Sequence, residues 1–184
     1  MNEEIETLVI MGCGAPRHPG QDTALGSYLA AALKAAEASP GATILLCGGA
    51  TNNPSCTEAR AMYEWITYHR PNLLDRCTQL GSGVSTKEVL LALASIMSGR
   101  GMVAVCRDTH EDVVRLYLEE YFPGSGARVI AIATDDGGRL RVRIMRAAAY
   151  ALEVTALYLF VAEDWRRALR EREIRWARAR FAAE

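Results

Sequence analysis

Four side chains able to do acid–base or ligand chemistry, Glu58, Glu88, Asp108 and His110, each follow a short apolar run and a turn. The carboxylates could orient the hydroxyls or amines of a ligand, or hold a divalent cation. His110 could move a proton near neutral pH, where imidazole titrates. Glycines crowd the same places: Gly12 and Gly14 after the first run, Gly48 and Gly49 after the second, and Gly81 and Gly83 before Ser85, Thr86 and Glu88. Glycine allows backbone conformations and close approaches that a Cβ would deny. The candidate ligand-binding residues are therefore Gly12, Gly14, Gly48, Gly49, Glu58, Ser85, Thr86, Glu88 and Asp108, with His110 as the candidate catalytic group. No metal site is assigned.

A structural explanation competes for each carboxylate. Ser55-x-x-Glu58 and Ser85-x-x-Glu88 both have capping-box spacing, in which the acid reaches back to the start of its own helix. Asp108 can cap the helix that carries His110. A capping role needs no imidazole, which leaves His110 as the better functional candidate; His18 and His69 have no supporting context. No nucleophile elbow, H-E-x-x-H or C-x-x-C spacing is present, and the Gly12-x-Gly14 turn lacks the third glycine of a dinucleotide fingerprint, which would fall at Arg17. No Gly-Lys-Ser/Thr follows, so there is no P-loop.

The elements that must position these groups are legible from periodicity. Thr7–Cys13, Thr43–Cys47, Met102–Cys106 and 128–133 read as strands, with Cys77–Leu80 a further short one. Helices are expected over 24–38, from Ser55 to Pro71, from Ser85 to Met97, and from Asp108 to about Tyr121. The helix 89–97 is apolar nearly all round, which predicts burial on more than one side. Strands alternating with helices predict an α/β fold: a three-layer Rossmann-like sandwich with a mostly parallel, doubly wound sheet. Loops leaving the carboxyl ends of such strands share one edge. Helix N-termini there supply free N–H groups for an anion or polar ligand. That placement predicts that Glu58, Glu88 and His110 converge, with their functional atoms within about 10 Å of a common point.

Residues 1–138 form the expected domain and residues 139–184 a C-terminal helical extension packed on it. The halves differ in charge: 1–138 carries 10 Lys/Arg against 16 Asp/Glu, a net of −6, and 139–184 carries 11 Arg against 6 acids, a net of +5. Together with the apolar run 144–162 and a following helix with seven arginines, this predicts a homodimer built largely from residues 140–181. Arg146 and Glu153 interrupt that apolar run, so no membrane span is expected. The N-terminus resembles no signal peptide, and five cysteines without paired spacing fit reduced thiols, so a cytoplasmic location is expected. The chain lacks the mixture of aromatic and basic residues that RNA-binding surfaces carry, and no nucleic-acid partner is expected.

The order LVIMGCG, LLCGGATNNPSCTEA, LGSGVSTKEVLLAL, VAVCRDTHEDVVRL, spanning roughly residues 7–122, resembles the SanA/YdcF-like family of domains of unknown function. Gly48, Gly49, Glu58, Ala59, Thr86, Glu88, Asp108 and His110 match that family's motifs. Tyr28, Ser85, Val89 and Val113 depart from them, with valines replacing an Asn and an Arg, and Tyr28 in place of another Arg. The resemblance implies a Rossmann-like fold and a small-molecule ligand, nucleotide-like or S-adenosylmethionine-like. Loss of two arginines, the natural anion clamps, argues against a phosphate-bearing one. Two readings stay open: a small-ligand-binding domain using the strand-end site, or a degenerate, non-catalytic member acting through self-association or a protein partner.

Overall fold

The computed structural model describes residues 5–12, 23–51 and 55–133, together with Glu171, Arg172 and Arg175. Gly14, the extension over 139–184 apart from those three residues, and the dimer surface assigned to it fall outside the described residues. Five strands, β1 (Thr7–Met11), β2 (Thr43–Cys47), β3 (Cys77–Leu80), β4 (Met102–Arg107) and β5 (Arg128–Ile132), alternate with helices. The helices are α1 (Thr23–Glu37), α2 (Glu58–His69), α3 (Thr86–Ile96) and α4 (Glu111–Tyr121). Every pairing is parallel and the strand order is β3-β2-β1-β4-β5. The chain runs outward from β1 to β3 on one side, then crosses back to build β4 and β5 on the other. The topological switch point therefore lies between β1 and β4.

Alternation along each strand builds two cores. Leu8, Ile10, Ile44, Leu46, Val103 and Val105 pack with α1 and α2 on one face. Val9, Met11, Cys47, Met102, Ala104 and Cys106 pack with α3 and α4 on the other. Strands covered on both faces must be apolar throughout, which is why β1, β2 and β4 read as unbroken apolar runs. The three-layer α/β expectation holds. The expected multi-sided burial of α3 holds too: Val89 to Ala94 are six consecutive buried residues.

Three local expectations need correction. β1 stops at Met11 rather than Cys13, where its ladder with β2 ends at the pair Met11 and Cys47, one residue past the last pair with β4. α2 starts at Glu58, not Ser55, because Thr57 is its N-cap: Thr57 has extended backbone and its hydroxyl accepts from the Arg60 N–H. Pro71 does not simply end that helix but opens a 3-10 stretch, Pro71–Arg76, that feeds β3. The Arg76 guanidinium then donates to the carbonyls of Ala42 at 2.9 Å, Ala36 at 3.1 Å and Ser39 at 2.6 Å, tying the end of α1 to the start of β2. Among the described residues no helix is long and apolar enough to cross a membrane.

Candidate functional site at the carboxyl edge of the sheet

One step beyond the register of β1 and β2, Gly12 and Gly48 follow the pair Met11 and Cys47. Gly48 adopts φ +147°, in the region that favours glycine. Its carbonyl and that of Gly49 turn onto the incoming helix and accept from the N–H groups of Ala59 at 3.1 Å and Glu58 at 3.0 Å. With Thr57 Oγ1 accepting from Arg60, the N–H groups of Glu58, Ala59 and Arg60 are all engaged within the protein. The free N–H groups expected at this helix start are therefore spent, because Gly48 and Gly49 sit close enough to take them.

Glu58 is the first residue of α2, directly behind its N-cap Thr57, rather than the third residue after the cap that a capping box requires. It is only 8% exposed and lies against the two glycines. A Cβ on Gly12 would fall 1.7 Å from Glu58 Oε2, and one on Gly48 would fall 2.6 Å from it. The Thr51 hydroxyl donates to Glu58 Oε1, and Thr51 itself is exposed. A buried carboxylate is tolerated only where hydrogen bonds compensate its lost hydration. Here the site brings together Gly12, Gly48, Thr51 and Glu58.

The loop after β3 closes on this corner. The N–H groups of Gly48 and Gly49 donate to the carbonyls of Leu80 at 3.1 Å and Gly83 at 2.8 Å. A Cβ on Gly49 would meet the Gly83 oxygen at 2.4 Å, so the approach requires glycine there. Ser82 is carried between those two anchor points, and its Oγ is buried without a hydrogen-bond partner. Ser85 is the N-cap of α3, accepting from the Glu88 N–H at 3.2 Å, and Thr86 is the helix's first residue. Glu88 Oε2 accepts from the Val84 N–H at 2.7 Å. This is capping-box chemistry displaced by one residue, and it gives exposed Glu88 a structural role. The capping-box explanation thus fits Glu88, whereas the N-cap of α2 is Thr57 and Glu58 stands out of capping-box register with it.

At the end of β4, on the far side of β1 from β2, Asp108, Thr109 and His110 form a 3-10 turn that leads into α4. Asp108 Oδ1 accepts from the Thr109 N–H at 2.7 Å, and the Asp108 carbonyl accepts from the Glu111 N–H. His110 occupies the N-cap position of α4 without capping it through its side chain. Asp108 and His110 therefore stand at the same sheet edge as Glu58 and Glu88, one strand beyond β1.

Sequence reasoning missed two residues. Nothing in the spacing marks Thr51. Tyr28 stood out only as a departure from a family pattern, yet it is 1% exposed and its hydroxyl lies 2.9 Å from the Met11 carbonyl and 3.0 Å from that of Val105. A phenol has one proton, so these two carbonyls share it. Tyr28 spans the place where β1 and β4 stop pairing, which is the switch point itself. The available signal was its position on the buried stripe of α1 with Leu25, Leu29 and Ala32, since a buried tyrosine needs a partner for its hydroxyl.

The three cysteines of the sheet, Cys47, Cys77 and Cys106, are not poised as nucleophiles. Burial pushes the Cys106 thiol up to about 12 and the Cys77 thiol up to about 11. Cys47, wholly buried, is raised further by the same cause. A thiolate is the reactive form, so these three are held inert at neutral pH. Among the described residues no group of three His, Cys, Asp or Glu side chains is arranged to hold a metal ion.

Fold and site together define a doubly wound parallel α/β domain whose glycine turns, buried carboxylate and capped helices meet at the carboxyl edge. No protein-family model matches the chain, and no curated protein or solved structure matches it.

Proposed function

We propose that this chain is a divergent SanA/YdcF-like domain that binds a small polar or nucleotide-like ligand at the carboxyl edge of its sheet. One observation carries the reading: Glu58, the first residue of α2, is buried against Gly12 and Gly48 and hydrogen-bonded by Thr51. A carboxylate held there costs desolvation that a purely structural site avoids, and perturbed or buried acids in a strand-end crevice are typical of ligand sites. The glycines whose Cβ would strike it keep that space available for the acid alone. His110, Asp108 and the resemblance in motif order support the same edge. His110 is the candidate proton carrier, and Glu58 the group that fixes ligand orientation.

The charge split of −6 over residues 1–138 and +5 over 139–184 favours self-association as a second reading, in which the basic tail meets the acidic body of another copy. The two readings are compatible, since the strand-end edge and the tail are different parts of the chain. The ligand reading is tested by whether natively purified protein carries a small molecule, and whether Glu58→Gln loses it while the melting temperature barely moves.

A further inference from the structure

We propose that the outer side of β5 is the docking surface for residues 139–144 of the same chain, which add to it as an antiparallel strand and set their arginines on the α4 side of the sheet. The inference is independent of the carboxyl-edge reading.

Among the described residues β5 pairs only with β4, and no strand lies beyond it. Its outer N–H and C=O groups are a template on which another strand can form. Helices flank both faces: Val129 packs with the α4 cluster and Ile132 with the α1 cluster. Yet no residue of β5 is buried, and Ile130 remains 39% exposed, whereas β4 is buried over Met102 to Cys106. The opposite outer strand meets water with polar side chains, since the exposed residues of β3 are Thr78 and Gln79. After Arg128, β5 offers valine, isoleucine, alanine and isoleucine. That composition suits a covered strand rather than a terminal one.

The chain itself supplies the cover. Shortly after β5 it reads Arg-Leu-Arg-Val-Arg-Ile over 139–144, in strict alternation. A strand sorts such an order into one apolar and one basic face, whereas a helix would scatter both kinds around its axis. Between the two segments, Asp135-Asp136-Gly137 has the chemistry of a three-residue hairpin loop, a type I turn closed by a left-handed glycine. That loop sets Leu140 opposite Ile132 and Val142 opposite Ile130. Opposite side chains share a face, so the apolar half of the segment covers the exposed isoleucines. Arg139, Arg141 and Arg143 then fall on the face of Val129 and Ala131, beside α4. That helix carries Glu111, Asp112, Glu119 and Glu120 against Arg115 alone. Hydrophobic pattern and charge therefore select the same register. A two-residue loop at Asp136-Gly137 would shift the pairing by one and set Arg141 and Arg143 against the isoleucines instead. Closed by its own chain, β5 cannot pair edge to edge with a second copy, which leaves self-association through the tail to residues beyond 144.

The experiment is disulfide trapping in the full chain. Ile130→Cys with Val142→Cys is compared with Ile130→Cys with Arg143→Cys, both mildly oxidised at low protein concentration and mapped by non-reducing gel and peptide mass spectrometry. Opposite residues of antiparallel strands have Cα atoms about 4.5–5.5 Å apart, within disulfide reach. The bond between positions 130 and 142 should form within one chain, at least about tenfold faster than that between 130 and 143, whose side chains point to opposite faces. Carbon-13 chemical shifts of the wild-type chain should be those of extended backbone over 139–144, which checks the strand without any substitution. Helical shifts there, or failure of both pairs to close, would overturn the strand. Faster closure of the pair with position 143 would overturn the register and the placement of the arginines. A bond between 130 and 142 found only between chains would show the segment exchanged between copies and overturn the own-chain assignment.

Discussion

Replacing Gly12 by alanine tests whether Glu58 is held where the strand-end account needs it. Gly12 does not have a positive φ, so alanine costs nothing in backbone conformation and the whole effect comes from the new methyl group. That carbon would lie 1.7 Å from Glu58 Oε2, 2.8 Å from Cδ and 2.9 Å from Cβ. The carboxylate can swing away, but the Glu58 Cβ is fixed by the start of α2 and can yield only slightly. Swinging breaks the Thr51 bond to a charged group, worth about 1.5–3 kcal/mol, and overpacking adds about 1–3 kcal/mol. The expected loss is about 2.5–6 kcal/mol, or on the order of 5–24 °C in Tm for a chain of this size. A double-mutant cycle with Glu58→Ala isolates the cause. With the carboxylate gone, Gly12→Ala should cost about 1 kcal/mol, leaving a coupling of at least about 1.5 kcal/mol. Urea denaturation followed by circular dichroism measures all four proteins. Additivity within about 0.5 kcal/mol would show that the two residues do not meet, and the site geometry would fall with that result.

Other consequences concern the frame around the site. Tyr28→Phe leaves the Met11 and Val105 carbonyls short of a donor at the switch point and should lower stability by about 1–3 kcal/mol, read from the urea midpoint at unchanged m-value. Arg76→Met removes a guanidinium that serves three carbonyls; a loss of about 2–4 kcal/mol is expected, and a change below about 0.5 kcal/mol would make the latch dispensable. Stability should also fall on the alkaline side. Burial raises the Cys47 and Cys106 thiols in the folded state, so above about pH 9 the unfolded chain releases protons that the folded chain keeps. Each of these thiols then removes about 1.4 kcal/mol per pH unit, whereas Cys47→Ala with Cys106→Ala should flatten the decline from pH 9 to 11 in guanidinium melts.

Much of this fold could be read from local pattern, because a parallel sheet covered on both faces leaves an unbroken apolar trace. β2 ends where its apolar run meets Gly48-Gly49, while edge strand β3, with exposed Thr78 and Gln79, is marked only by the turn Gly81-Ser82-Gly83 that follows it. The start of α2 was not legible in the same way. Ser55 and Thr57 are both able caps, two residues apart, and spacing favours Ser55 because Glu58 follows at the capping-box interval. Tertiary structure decides otherwise: the carbonyls of Gly48 and Gly49 capture the N–H groups of Ala59 and Glu58, and that makes Glu58 a first-turn residue facing the strands. The same shift turns an apparent cap into the centre of the candidate site, whereas Glu88, with identical spacing, remains a cap. Local propensity cannot separate these two acids, because the difference lies in glycines contributed by other strands.

The most direct test of the ligand site is native purification followed by mass spectrometry of small molecules released on denaturation, for wild type and Glu58→Gln side by side. The account predicts a near-stoichiometric polar molecule from wild type. It also predicts at least tenfold depletion in Glu58→Gln, with stability lowered by only about 1 kcal/mol, since glutamine keeps the shape and an acceptor for Thr51 but loses the charge. Equal amounts of the same molecule in both proteins, or none from either at full structural integrity, would contradict it.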